Sequence, residues 1–367
     1  MTRLSLTEFR CYQAARLDVD ARPVVLTGPN GAGKTNLLEA ISFLAPGRGL
    51  RRARLSEVDR RGGARGWAIA ATLVGPDGPT EIGTGRETSG ERRVVKVEGE
   101  VVRSQATLAE YTTIVWLTPQ MDGLFTGSAA ARRRFLDRLV FGFDPAHAGR
   151  ISAYENAMRQ RARLLREGRS DESWLAALEQ TMAKRGIAIA AARREMVARL
   201  NRACAAGTGP FPKAAIEAAG AVETWLDDGP AIAAEDRLKA ELAAGRPEDA
   251  QSGGAGVGPQ RSDVRVTDLD TEAPADQCST GEQKALLIAI VLADARLRAA
   301  ERGTAPLLLL DEVAAHLDAD RREALFAEIC DLGAQTWLTG TDAALFEGLA
   351  GEAQFVAVED AAVRLLS

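Results

Sequence analysis

The hydrophobic pattern near the start of the chain predicts a short buried strand followed by a helix. Val24–Thr27 is a compact apolar run that leads into a glycine-rich turn, and helical spacing of apolar residues follows over Asn36–Leu44. Residues 1–9 alternate as a strand does and lack the apolar core of a signal peptide, so we expect no secretion signal there.

Alternating apolar and polar positions further along predict an antiparallel β-layer. Trp67–Val74 and Val94–Val102 alternate in this way, and we interpret Gly75–Gly78 and Gly83–Gly90 as turns. Thr113–Leu117 is apolar without interruption after its first residues, which is typical of a buried strand.

The middle of the chain changes to helical spacing. Apolar stripes cover Ile151–Leu165 and Leu178–Ala203, with the short polar break Gly168–Asp171 between them. Two helices joined by so short a break are expected to form an antiparallel hairpin. Gly245–Gly258 is rich in Gly, Pro, Ser and Ala, so we predict a flexible loop there.

The composition fits a water-soluble globular protein of about two domains. The chain has 367 residues, of which 46% are hydrophobic and 26% are charged. Its longest apolar run, around Ala285–Ala293, is too short to cross a bilayer. The four cysteines show no metal-type spacing, which favours free thiols in a reducing cytoplasm.

The net charge of -5 gives no signal for nucleic-acid binding, but the arginines are unevenly distributed. Arg48–Arg65 contains seven arginines against only Glu57 and Asp59, and Arg132–Arg169 contains ten. For any single arginine a solvated helix face is the simpler interpretation. Together they could form a basic face that contacts phosphates.

Residues 28–35, GPNGAGKT, match the P-loop motif G-x-x-x-x-G-K-[ST] between a predicted strand and a predicted helix. A chance glycine-rich turn is improbable in that context. The motif predicts ATP and Mg²⁺ as ligands, with Lys34 reaching the β- and γ-phosphates and the Thr35 hydroxyl on Mg²⁺. The predicted nucleotide contacts in this segment are Gly28, Asn30, Gly31, Gly33, Lys34, Thr35 and Asn36.

A second buried strand, Leu307–Leu310, ends in Asp311 and Glu312. We predict that Asp311 binds Mg²⁺ and that Glu312 polarises the attacking water. Gln120 follows the strand at Thr113–Leu117 and is predicted to link Mg²⁺ to a second lobe. An exposed turn glutamine is the alternative. Lys34, Gln120 and Glu312 are thus the predicted catalytic residues, and Thr35, Asp311 and Gln120 the predicted metal ligands.

Ser279–Gln283 precedes the apolar helix Ala285–Arg298 and resembles the signature motif of ABC ATPases. Ser279 and Gly281 would present a helix N-terminus to a phosphate. A plain N-cap with a capping-box acid is the alternative. The position of the motif, one helix before the acidic strand, favours the ABC interpretation.

Two later segments resemble further ABC elements. Ala314–Asp318 is similar to the D-loop that crosses the dimer interface of ABC ATPases, and residues 336–342 are similar to their switch region. Many ABC proteins have a switch histidine, but this chain has only His147 and His316. We therefore expect Thr341 or Asp342 to contact the γ-phosphate instead.

Several blocks in this order resemble the RecF family of bacterial recombinational-repair ATPases. They are Phe9–Tyr12, Asn30–Ile41, Gly47–Arg51 and Gly258–Asp263. Members of that family usually have His-Arg-Asp-Asp after the Gly-Pro pair. This chain has Gln-Arg-Ser-Asp there, so the role of the segment is open.

The resemblance implies an α/β fold: an ABC-type P-loop ATPase head with an antiparallel β-layer and a helical second lobe containing the hairpin. We assign residues 1–119 and 258–367 to the head and residues 120–257 to the helical lobe. The resemblance also implies an ATP-dependent homodimer with slow hydrolysis. It would bind duplex DNA at gaps or single-strand–double-strand junctions, and act with RecR and RecO to load the RecA recombinase, without a membrane partner.

The main alternative is the ATPase subunit of a membrane transporter, which would share the P-loop, signature and acidic strand. The missing switch histidine, the long gap between Thr35 and Ser279 and the helical hairpin all argue against it. A nucleotide switch whose hydrolysis only resets binding is a second alternative.

Overall fold

The computed structural model describes residues 1–88, 90–168, 171–207 and 209–366. The strands are β1 (Arg3–Phe9), β2 (Tyr12–Asp18), β3 (Val24–Thr27), β4 (Trp67–Gly75), β5 (Gly78–Arg86), β6 (Arg93–Val97), β7 (Glu100–Val101), β8 (Ile114–Leu117), β9 (Ala214–Ala219), β10 (Asp263–Asp268), β11 (Leu307–Leu310), β12 (Thr336–Gly340), β13 (Gln354–Glu359) and β14 (Ala362–Leu366).

The α-helices are α1 (Lys34–Ser42), α2 (Leu108–Tyr111), α3 (Ala129–Phe143), α4 (Ala146–Arg166), α5 (Glu172–Ala205), α6 (Ala221–Asp228), α7 (Ala231–Ala244), α8 (Arg246–Ser252), α9 (Thr280–Arg302) and α10 (Ala319–Asp331). Short 3₁₀ helices cover Leu55–Glu57, Gln105–Thr107, Pro119–Met121, Ala314–His316 and Ala343–Leu349. Among the described residues, no helix is long and apolar enough to span a membrane.

The chain forms two compact units. The first unit comprises Met1–Met121, Thr208–Phe211 and Val291–Ser367, and the second comprises Asp122–Gly207 and Pro212–Ile290. Compactness alone does not assign a function to a segment, so the division at residues 119 and 257 stays a prediction.

The first unit contains a mainly parallel sheet with the strand order β14-β13-β3-β12-β11-β8. Every pair from β13 to β8 is parallel, and only β14 is antiparallel to its neighbour. All residues of β3, β11 and β12 are buried, as expected for strands covered on both faces. Because β3, β12, β11 and β8 run in the same direction, their carboxyl ends lie along one edge of the sheet.

The first unit also contains an antiparallel sheet in the order β2-β1-β4-β5-β6-β7, which confirms the predicted β-layer. Its inner face packs near the end of α1 through three rings: the centroid of Trp67 lies 5.6 Å from that of Phe9 and 5.0 Å from that of Phe43.

The prediction of a turn at Gly83–Gly90 is wrong over its first half. β5 continues to Arg86 because it pairs with β4 along its whole length, and these ladder hydrogen bonds outweigh the weak strand preference of glycine.

The second unit contains the predicted antiparallel hairpin, formed by α4 and α5. Arg161 pairs with Glu179, and Tyr154, seven residues before Arg161, lies against Gly186, seven residues after Glu179, as only antiparallel helices allow. The buried face includes Leu178 and Met182 of the predicted stripe. Of the predicted break, residues 169 and 170 lie outside the described residues.

The predicted flexible loop at Gly245–Gly258 is wrong in its first half, where α8 forms. The helix has only seven residues, too few to show an apolar period in the sequence. Its Asp249 side chain is buried and accepts hydrogen bonds from Arg161 (2.6 Å) and from the Gly256 amide (2.8 Å). A buried carboxylate, which composition does not reveal, therefore holds this segment in place.

The segment Gly258–Asp263 is held by side chains from α3, α4, α5 and α6. Arg193 donates to the Pro259 carbonyl (2.7 Å), Tyr154 donates to Gln260, Ser262 donates to Glu223 (2.7 Å), and Arg132 pairs with Asp263 (2.8 Å). The Gln260 amide also donates to the carbonyls of Ala255 and Val257, both at 3.0 Å. Gln260, one of the two residues that depart from the family pattern, thus has a structural role within the second unit.

Candidate nucleotide-binding site

The P-loop connects the end of β3 to the start of α1, and two of its glycines are sterically required. Gly28 has φ +147°, and a Cβ there would lie 2.1 Å from the Val358 carbonyl oxygen. Gly33 has φ +119°, and a Cβ there would lie 2.5 Å from the Tyr12 hydroxyl, which donates to the Gly33 carbonyl at 3.1 Å. Only glycine permits both this backbone conformation and this close approach.

The loop exposes backbone amides at the positive end of α1. Gly33 precedes the helix and provides no side-chain cap. Within the described chain, the amides of Gly31, Gly33 and Lys34 have no hydrogen-bond acceptor. Free amides at a helix N-terminus attract anions, phosphates above all. Asn30 and Gly31 are exposed at the tip of the loop.

Lys34 is the first residue of α1, and its ammonium is folded over the loop. It donates to the carbonyls of Gly28 (2.6 Å) and Pro29 (2.9 Å). Burial lowers the pKa of Lys34, while the nearby Glu312 and Asp311 carboxylates act in the opposite direction. The cation therefore lies between the phosphate loop and the acidic pair.

Thr35 and the acidic strand meet directly. The Thr35 hydroxyl donates to Oδ1 of Asp311 at 3.0 Å. The same oxygen accepts a second hydrogen bond, of 2.8 Å, from the hydroxyl of Thr339 at the end of β12. Thr339 in turn accepts the backbone amide of Glu312 at 2.8 Å. The residues that follow or end β3, β11 and β12 therefore meet in one site.

These residues fit Mg²⁺. Burial raises the pKa of Asp311, and the hydrogen bonds from Thr339 and Thr35 only partly offset that effect. A divalent cation would favour the ionised carboxylate. Mg²⁺ in nucleotide sites is bound by one or two carboxylates together with phosphates and waters, and Asp311 supplies one buried carboxylate here.

Glu312 has φ +54°, in the left-handed region that non-glycine residues avoid. Such a conformation costs about 1–3 kcal/mol and persists only where the surroundings enforce it. Here the Glu312 amide is held by Thr339. We did not predict Thr339 from the sequence, although one signal was available: a hydroxyl residue inside a fully buried strand.

Thr341 and Asp342, the predicted phosphate sensors, are exposed just beyond β12. Asp342 accepts the Ala344 amide at 2.9 Å and so caps the following 3₁₀ helix. His147 is buried in the second unit beside Asp137, at 2.9 Å. The sensor role of Thr341 or Asp342 stays a prediction.

Gln120 lies at the same sheet edge as the acidic pair. It sits in the exposed 3₁₀ turn Pro119–Met121, directly after β8. The end of β8 adjoins the acidic pair, since the Asp311 amide donates to the Leu117 carbonyl at 2.9 Å. This placement agrees with both interpretations of Gln120, as a metal-linked glutamine and as an exposed turn residue.

Ser279 and Gly281 belong to the second unit and are exposed at the start of α9. The Ser279 amide donates to the Glu282 carboxylate at 2.7 Å, and the Glu282 amide donates to the Ser279 hydroxyl at 3.4 Å. This is a capping box, as the plain N-cap interpretation predicts. Gln283 donates to the Cys278 carbonyl at 2.8 Å and further fixes the helix start.

A buried ion-pair network surrounds α1. Glu39, with 0% exposure, accepts hydrogen bonds from Arg10 (2.6 and 2.8 Å) and Arg51 (2.8 Å). Asn36, a predicted nucleotide contact, accepts from Arg51 at 2.7 Å and donates to the Cys11 thiol at 3.1 Å. The Arg51 guanidinium is therefore already paired with a carboxylate inside the protein, whether or not it also contacts a ligand.

Pairing also explains much of the second arginine-rich segment. Arg132 binds Asp263, and Arg161, with 1% exposure, binds Glu179 and Asp249. A solvated helix face is therefore wrong for these two residues. Arg48, Arg61 and Arg65 of the first segment are exposed, and Arg169 lies outside the described residues.

The parallel sheet, the P-loop and the acidic strand end define a P-loop head of the ABC type. A family model described as "RecF/RecN/SMC N terminal domain" matches residues 1–361. The DNA replication and repair protein RecF of Mesorhizobium japonicum is 51% identical over 370 residues, covering 99% of this chain and 97% of the relative. RecF of Agrobacterium fabrum is 52% identical over 360 residues, covering 97% of this chain and 96% of the relative.

The chain therefore belongs to the RecF family. A solved structure of the recombination mediator protein RecF-ATPrS in the RecFOR pathway superposes with a TM-score of 0.87 at 22% identity, covering 100% of this chain and 98% of that one. The Smc head domain from Pyrococcus furiosus gives a TM-score of 0.54 at 16% identity, covering 100% of this chain and 95% of that one. The predicted family and fold are confirmed, and the transporter-subunit alternative is no longer supported.

Proposed function

We propose that this protein is an ATP-dependent DNA-binding ATPase of recombinational repair. The observation that carries the proposal is the contact between the P-loop residue Thr35 and the acidic-strand residue Asp311, beside the free amides of the loop. The relatives at about half identity are named DNA replication and repair proteins, and a second structural neighbour is described as RecF-ATP.

In this proposal the P-loop residues named above bind the phosphates, and Lys34 is released from its loop carbonyls to the β- and γ-phosphates. Thr35, Asp311 and Gln120 hold Mg²⁺, which neutralises phosphate charge when bound. Glu312 orients and polarises the attacking water. Hydrolysis is slow, because the complete site exists only transiently.

In this proposal a group of a second copy closes over the γ-phosphate from the far side. We assign this role to Ser279 and Gly281 of a second copy, whose exposed helix start can face an anion. A two-fold homodimer then encloses two ATP molecules, each between one P-loop and the opposite signature. ATP stabilises the dimer, and hydrolysis releases it.

Duplex DNA is the proposed polymer partner, bound at gaps or single-strand–double-strand junctions in the cytoplasm. The exposed arginines Arg48, Arg61 and Arg65 are the first candidates for phosphate contacts. RecR, with RecO, is the proposed protein partner, since a neighbouring structure is described as part of the RecFOR pathway. We propose no membrane partner.

A DNA-binding assay with and without ATP tests this function. Fluorescent duplex, single-stranded and gapped DNA of equal length are titrated with wild type and with Lys34→Met. The proposal predicts ATP-dependent binding to duplex-containing DNA and its loss in the variant. DNA binding of equal strength with and without ATP, or stronger binding to single-stranded DNA, would contradict the proposal.

A further inference from the structure

Thr339 is a buried polar residue near the end of β12 in the first unit. It is 1% exposed, and its neighbours Trp337 and Leu338 are fully buried. A buried hydroxyl without partners destabilises a protein, so its hydrogen bonds show what holds it there. Both bonds in the structure go to the acidic pair: one to the Asp311 carboxylate and one from the Glu312 amide.

The direction of these bonds is dictated by chemistry. A hydroxyl has one hydrogen to donate, and an ionised carboxylate can only accept, so the Thr339 hydrogen points at Asp311. The Glu312 amide can only donate, so it points at a lone pair of Thr339. One side chain therefore orients the carboxylate proposed to hold Mg²⁺ and the backbone of the carboxylate proposed to activate water.

Each bond stabilises an arrangement that is unfavourable by itself: the left-handed backbone of Glu312 and the buried carboxylate of Asp311. Glu312 has the left-handed φ of +54°, and its side-chain direction depends on that backbone. The Asp311 carboxylate is buried, and its Oδ1 receives both Thr35 at 3.0 Å and Thr339 at 2.8 Å. Both hydroxyls bind Oδ1, and the structure records no hydrogen bond to Oδ2 from the described residues, which leaves that oxygen for a ligand.

We propose that Thr339 is a positioning residue for ATP hydrolysis, acting through Asp311 and Glu312 from the end of β12. It fixes the left-handed peptide that aims Glu312 at the water, and it keeps Asp311 oriented for the metal. The inference rests on the proposed ATPase function. It is distinct from the γ-phosphate contact that the sequence predicted for the exposed Thr341 or Asp342.

The test compares Thr339→Val, which removes only the hydroxyl, with Thr339→Ser, which retains it. Thr336 supplies the matched control: it lies in the same strand, is 0% exposed, and its hydroxyl donates to the Ala334 carbonyl at 3.1 Å, away from the acidic pair. Steady-state ATP hydrolysis is measured for wild type, Thr339→Val, Thr339→Ser and Thr336→Val. Nucleotide titration and thermal unfolding of each protein accompany these rates.

We expect kcat of Thr339→Val to fall about 10- to 100-fold, the range for misplaced catalytic groups, while KM for ATP changes far less. Thr339→Ser should regain most of the rate, and Thr336→Val should keep the wild-type kcat even if it lowers the unfolding temperature.

An active wild type with an unchanged kcat in Thr339→Val would overturn the inference and leave the proposed function intact. So would a loss of kcat in Thr336→Val equal to that in Thr339→Val, since it would indicate a general packing effect. A wild type that binds ATP but hydrolyses none, with or without DNA, would overturn the proposed ATPase activity and this inference together.

Discussion

The hydroxyl of Thr35 donates a 3.0 Å hydrogen bond to the carboxylate of Asp311, 276 positions further along the chain. Thr35 follows β3 and Asp311 follows β11, and β12 lies between those strands in the sheet. The contact is possible because parallel strands place their carboxyl ends along one edge. The residues proposed to bind phosphate and those proposed to bind the metal are therefore adjacent.

Lys34→Met should abolish tight ATP binding while the fold is retained. The ammonium is the cation at the P-loop, and charge-assisted hydrogen bonds are worth roughly 1.5–3 kcal/mol each, so we expect affinity to fall at least about 100-fold. Titration with a fluorescent ATP analogue measures it. Lys239→Met, an exposed lysine of α7, is the control. If Lys34→Met binds ATP with wild-type affinity, the assignment of Lys34 to the phosphates is wrong.

Asp311→Asn should stabilise the metal-free protein at neutral pH and abolish hydrolysis. Burial raises the pKa of Asp311, so ionising it weakens the native state, and that loss grows as pH rises through the raised pKa. The variant cannot ionise there. We measure the free energy of unfolding by urea denaturation without divalent ions. The value for the variant minus that for wild type should therefore increase as the pH rises from 4 to 8.

The exposed Glu347→Gln provides the comparison for this titration. Its free energy of unfolding controls for the removal of one surface carboxylate. If the difference between Asp311→Asn and wild type instead shrinks with rising pH, the assigned direction of the shift is wrong.

Arg161→Met should strongly destabilise the second unit. Its guanidinium pairs with Glu179 and Asp249, all three being buried. The substitution leaves Asp249 without its Arg161 partner, whereas Glu179 keeps Arg246, and removing one member of a buried ion pair costs about 3–5 kcal/mol. Arg163→Met, two residues further along α4, removes an ion pair that is 74% exposed on the arginine side and should leave the urea midpoint unchanged. Equal effects of the two substitutions would show that the buried network has no special role.

Arg61→Glu combined with Arg65→Glu should weaken DNA binding and reduce its salt dependence. Each phosphate contact contributes about 0.9 to the slope of log affinity against log salt, so losing two should flatten it by roughly 1.8. Arg51 is unsuitable for this test because reversing it would place a carboxylate against the buried Glu39. Lys213→Glu with Lys239→Glu matches the charge change in the second unit, and an equal loss of affinity there would indicate a non-specific field effect.

Periodicity predicted the main elements of both units because each is long or fully buried. Leu307–Leu310 and the stripes of the hairpin are unambiguous in the sequence. The short helix α8 could not be predicted, because its position depends on Asp249 meeting Arg161, 88 residues away in sequence. The extent of β5 likewise depends on pairing with β4 rather than on its own residues.

The site was predictable where a motif specifies both residue type and local backbone. The P-loop, Asp311 and Glu312 are in that class. Thr339 was missed because its role comes from the neighbouring strand, and adjacency of strands is a property of the sheet. The pairing of Arg51 with the buried Glu39 was missed for the same reason, since charge counts do not show which arginines already have a carboxylate.

Two copies are proposed to share each ATP between the P-loop of one and the signature of the other. Multi-angle light scattering, with and without ATP and Mg²⁺, tests it on wild type, Glu312→Gln and Ser279→Arg. Glu312→Gln should form a stable dimer with ATP, because binding is intact and hydrolysis is blocked. Wild type should dimerise and then return to monomer, and Ser279→Arg should bind ATP yet remain monomeric. A Ser279→Arg protein that dimerises on ATP as the wild type does would contradict the shared site.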